Sequence, residues 1–64
     1  MNNNNSIPVL LNRFQASKFL GIDVKSFDKY VRSDPSLPRF MLGRQERYVK
    51  TELIKYIHKK LIKD

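Results

Sequence analysis

The sequence predicts a small α+β domain, mainly helical, with two short helices, a β-hairpin and a closing helix. Capping residues at Asn12 and Asp23 head two short stretches of helical periodicity. A turn around Gly43 separates two runs rich in aromatic and branched residues. From Lys50 onward neither Gly nor Pro interrupts the chain.

Taken in order, Met1 to Ser6 is a polar tract that cannot bury apolar area, so residues 1-6 are expected to be a disordered leader and residues 7-64 the domain. Leu11, Asn12 and Gln15 read as staple, cap and third helical position of a helix over Arg13 to Leu20, which Gly21 ends. Asp23 caps a second helix over Val24 to Ser33, whose buried face is expected to be Phe27, Tyr30 and Val31. With only Gly21, Ile22 and Asp23 between them, the two helices should cross steeply as a helix-turn-helix. Pro35 and Pro38 make the stretch from Ser33 to Pro38 a loop. Arg39 to Leu42 and Glu46 to Val49 form a hairpin across Gly43, Arg44 and Gln45. Leu53, Tyr56, Ile57 and Leu61 mark the core face of a last helix ending near Lys63. This order of elements is that of a winged helix-turn-helix, the hairpin being the wing.

Thirteen Lys and Arg against six Asp and Glu give a net charge of +7, all of it beyond Ser6. Nucleic acid is the commonest polyanionic partner of such a domain, with anionic lipid or an acidic protein as alternatives. No window approaches the roughly 18 apolar residues of a membrane span, and the start lacks the pattern of a secretion signal. A soluble protein of the bacterial cytoplasm, associated with the nucleoid, is expected. The chain has no Cys and one His, so a metal site at His58 is not expected. Neither paired carboxylates, a nucleophile with its base, nor a glycine-rich phosphate loop is present, so neither catalysis nor a cofactor is expected.

Lys25, Ser26 and Lys29 project from the polar side of the second helix, where direct readout of base edges needs donors, and Arg32 nearer the rim suits phosphate. An ordinary solvated helix face gives the same pattern, and Asp28 favours that alternative. Arg44, Gln45 and Arg47 cluster at the hairpin tip, where guanidinium groups can straddle phosphates or enter the minor groove; the alternative is a solvated turn with Glu46 pairing to either arginine. Arg39 is a further candidate for the DNA backbone. The seven aromatics are assigned mainly to the core rather than to a base-stacking platform, with Phe14 and Tyr48 partly exposed. Ile54 and Ile62 lie off the core face of the last helix and suggest a partner surface, unless a broad apolar arc simply covers the hairpin.

The order of motifs resembles the winged-helix domains of the excisionase family and the AlpA-like phage regulators, relatives of the DNA-binding head of MerR-type regulators. LLNRFQASKFLGIDVKSF, from Leu10 to Phe27, resembles the family's cap, first helix, Leu-Gly-Ile/Val turn and second helix. DPSLPRFMLGRQERYVKTELIKYI, from Asp34 to Ile57, resembles its Asp-Pro loop, Gly-Arg wing and closing helix. The resemblance implies that Lys25, Ser26 and Lys29 read the groove and that Arg44 and Arg47 stand on the wing. Arg13, Phe14 and Asp28 depart from the family pattern. MerR-type regulators continue into a dimerising helix and an effector domain; none follows here before Asp64, so effector sensing is not expected.

By that resemblance the chain is expected to be an excisionase, or recombination directionality factor, of a phage or mobile element. Such a protein binds and bends double-stranded DNA, acts with a site-specific recombinase, and is a monomer that binds repeated sites cooperatively. The alternatives are a small phage transcriptional regulator and, in another class, an interaction module for a recombinase or replication protein.

Overall fold

The computed structural model describes residues 9–63. The leader expected over residues 1-6, and the onset of order near Ile7, lie outside them. The described chain is a small α+β domain, about half helical, with a three-stranded antiparallel sheet. Its elements are β1 (Leu10–Leu11), α1 (Arg13–Leu20), α2 (Val24–Ser26) running on into a π-helical stretch (Phe27–Arg32), β2 (Phe40–Leu42), β3 (Gln45–Val49) and α3 (Lys50–Lys60).

Helix α1 has the expected bounds because its signals are local. Asn12 Oδ1 accepts from the Gln15 backbone N–H at 2.7 Å, and Gln15 Oε1 accepts from the Asn12 N–H at 2.9 Å, a reciprocal capping box. Gly21 closes it in the left-handed region at φ 75°, donating its N–H to Lys18 O. Asp23 caps α2 through the Ser26 N–H at 2.9 Å.

Four differences from the sequence reading have physical reasons. First, the second helical segment ends at Arg32, and its last six residues are π-wound. The Ser33 hydroxyl donates to Lys29 O at 2.6 Å, so a side chain takes a carbonyl near the end of the backbone ladder, while the Tyr56 hydroxyl donates to Asp34 Oδ2 at 2.8 Å and only approaches Tyr30 O, at 3.4 Å. Second, Leu10 and Leu11 form a strand that sequence reasoning did not find, pairing with Val49 and Tyr48 and placing β3 at the centre of the order β1-β3-β2. Third, the hairpin turn has two residues, Gly43 and Arg44, because Gln45 already pairs with Leu42; Gly43 takes φ 61°. Fourth, α3 ends at Lys60, where Leu61 turns to extended backbone and the last apolar residues have nothing to pack on.

The core is Ala16, Phe27, Val31, Leu37, Tyr48, Leu53 and Tyr56, with Leu11 and Leu20 packed against it. Phe27 and Tyr48 meet edge to face at 5.1 Å. Tyr48, expected to be partly exposed, is fully buried. Tyr30, Ile57 and Leu61, expected in the core, are exposed, as are Phe14, Phe19 and Phe40. So small a core cannot hold seven aromatics and the aliphatics together. Among the described residues, no helix is long and apolar enough to cross a membrane.

Candidate functional site

Lys25 and Lys29 stand on the second helical segment, immediately after the three-residue turn Gly21–Asp23, and both are exposed. Neither pairs with an acid among the described residues. Ser26 is half-buried and its backbone N–H donates to Asp23, whose carboxyl is held below the usual carboxylate range by the Ser26 side chain first and by that N–H second.

The five carboxylates of residues 9–63 are all engaged. Asp23 caps α2, Asp28 lies 3.0 Å from Arg13 Nε, and Asp34 accepts from Tyr56 and Ser36 and faces Lys60. Glu46 binds Arg32 and Arg39, and Glu52 lies beside Lys55. The Arg13–Asp28 contact is Coulombic rather than a directed hydrogen bond, since Asp28 Oδ1 has no donor aimed at it. It does turn the carboxylate expected to spoil a groove-facing surface toward Arg13.

Glu46 joins the helical and sheet halves of the site. Arg32 donates to it from Nε at 2.9 Å and Nη2 at 3.1 Å, Arg39 from Nη1 at 3.2 Å, and the Tyr48 hydroxyl also donates. The Arg32 guanidinium, aided by Tyr48 and Arg39 and opposed by burial, brings the Glu46 pKa down to about 2. Burial first, and then Glu46, raises the Tyr48 phenol to about 12. Arg32 and Arg39, expected at phosphates, are thus half-exposed guanidinium groups each tied to one carboxylate. The pairing considered from sequence, Glu46 with Arg44 or Arg47, does not form. The alternation of β3 was the available signal: Glu46 shares a face with the buried Tyr48, and a carboxylate there needs cationic partners.

At the hairpin tip Arg44 is exposed and unpaired among the described residues. Gln45 is exposed on β3 and accepts from Arg47 Nη2 at 3.3 Å, while Arg47 Nη1 donates to Glu46 O at 2.8 Å. Arg47 is therefore folded along its own strand. Ile54 and Ile62 are both exposed, Ile62 at 88%. His58 is exposed, and no cluster of metal-binding side chains occurs among the described residues.

The described residues therefore include two lysines without acidic partners on one helical segment, a carboxylate tie from that segment's end to the sheet, and an arginine without an acidic partner at the hairpin tip. No family model matches this chain, and neither a curated protein nor a solved structure does.

Proposed function

We propose that this chain is a sequence-specific double-stranded DNA-binding protein of the winged helix-turn-helix kind. In this reading α1 and the second helical segment are the helix-turn-helix, and β2 and β3 are the wing. The observation that carries it is the pattern of charge: every described carboxylate is engaged, and Lys25, Lys29 and Arg44 are exposed and without acidic partners, as are Lys18 and Lys59 on other elements. Unpaired cations on a helix after a tight turn and on a hairpin tip suit base-edge and phosphate contacts respectively. Arg32 and Arg39 are each paired to Glu46 and stay partly exposed.

The more specific role, an excisionase that bends DNA beside a recombination site of a phage or mobile element, is supported by the motif resemblance alone, as are a recombinase partner and cooperative binding to repeats. A small transcriptional regulator with the same surface is the neighbouring alternative. A second reading, an interaction module, is favoured by the exposed apolar residues Ile54, Ile57, Leu61 and Ile62 around α3.

Gel-shift and footprint titrations against fragments of the source genome, with and without added salt, test the proposal. Saturable protection of one site supports it. Absence of binding at low salt rejects it and favours the interaction module.

A further inference from the structure

The second helical segment exposes one residue that its sequence period assigns to the core. Tyr30 is 62% exposed. Its place follows from the winding: a π-helical stretch bonds i to i+5 and holds more residues per turn than an α-helix, so the 3.6-residue period that groups Tyr30 with Phe27 and Val31 does not apply there. The Lys29 ammonium lies over the Tyr30 ring, 5.2 Å from its centroid. An ammonium held on an aromatic face is attracted to the ring's negative quadrupole. A lysine chain so placed has less rotamer freedom to lose when a ligand arrives.

We propose that Tyr30 determines specificity at this surface. Its ring positions the Lys29 ammonium for the O6 and N7 acceptors of a guanine, and presents an apolar edge to the methyl group of a neighbouring thymine. This rests on the DNA-binding reading above and adds a residue that reading does not use. Tyr30 is not one of the core residues, which on this segment are Phe27 and Val31.

The test is affinity selection from a pool of randomised duplexes, followed by titration on the selected site and on a scrambled duplex. It uses the full chain and the variants Tyr30→Phe, Tyr30→Ala, Lys29→Ala and the double alanine. Tyr30→Phe keeps the ring and should keep the selected site with affinity within a factor of about three. Tyr30→Ala should lower affinity for the selected site by roughly 5- to 150-fold, relax preference at adjacent guanine and thymine positions, and leave the scrambled duplex unaffected. Lys29→Ala should relax the guanine alone. The double variant should discriminate guanine no worse than Lys29→Ala, because Tyr30 acts on that base only through Lys29.

Unchanged selection by Tyr30→Ala overturns the inference while leaving DNA binding intact. Equal losses for Tyr30→Phe and Tyr30→Ala overturn the role of the ring, and additive losses in the double variant overturn the positioning of Lys29. A wild-type chain that selects no sequence overturns the DNA-binding reading itself.

Discussion

Arg32 grips Glu46 with two adjacent guanidinium nitrogens, Nε at 2.9 Å and Nη2 at 3.1 Å, and so ties the end of the second helical segment to the central strand. The two residues are 14 apart in sequence, and the loop Ser33–Arg39 lies between them. Exposed ion pairs contribute little, but the Glu46 side chain is mostly covered and also serves Arg39 and Tyr48. Replacing it with glutamine removes the charge that Arg32 and Arg39 share and leaves one amide oxygen to serve donors that two carboxylate oxygens now accept from. Glu46→Gln is expected to cost about 1 to 3 kcal/mol of folding stability, read by urea titration. A midpoint equal to that of the wild type would show the tie to be fully screened.

The same carboxylate sets an acid limb in the stability profile. Its pKa falls from 4.5 to about 2 on folding, so its contribution is complete above 4.5 and is lost as pH drops toward 2. Asp34, lowered chiefly by the Ser36 backbone N–H and then by the Tyr56 hydroxyl, adds to the same limb. Tyr48 and Tyr56 work in the opposite direction: burial holds both phenols protonated to about 12 against an ordinary 10.0, so their contribution is lost as pH rises from 10 toward 12. Thermal melts across pH should fall off at both ends, and Glu46→Gln should flatten the acid end. An acid limb as steep in that variant as in the wild type would assign it elsewhere.

How far the structure could be read from the sequence depended on the range of the signals. The bounds of α1 were legible because Asn12, Gln15 and Gly21 act within one turn of the residues they organise. β1 was not, since two residues carry no period and its register is supplied by Val49 and Tyr48, far along the chain. Tyr30 was misplaced because a 3.6-residue period was applied to a π-wound stretch. At the candidate site, the exposure of Lys25, Lys29 and Arg44 followed from their neighbours, whereas the fate of Arg32 was decided by Glu46 on another element.

Gly21 tests the turn between the first two helices. Its φ of 75° lies in the region where a Cβ is strained, yet an added Cβ would meet nothing within 4 Å. The cost of Gly21→Ala is therefore conformational, about 1 to 2 kcal/mol, and Gly21→Asn should cost less because asparagine tolerates that region. Equal destabilisation by the two, measured by thermal melting, would point to a steric clash instead.

Under the proposed DNA-binding function, the lysines and the hairpin-tip arginine should fail in different ways. If Lys29 reads a guanine as proposed, Lys29→Ala should lower affinity for a preferred site by about 1 to 3 kcal/mol and relax preference at one position. Lys25→Ala should act likewise at a neighbouring position. Arg44, at the tip of a two-residue turn with no acidic partner among the described residues, has the geometry of a phosphate contact. Arg44→Ala should weaken binding to every duplex alike and reduce the slope of log affinity against log salt by about one. The two signatures are separable in one set of titrations, using a preferred and a scrambled duplex at several salt concentrations. Should Lys29→Ala weaken both duplexes equally with a shallower salt slope, its ammonium sits on phosphate, and sequence must be read by other side chains of the segment.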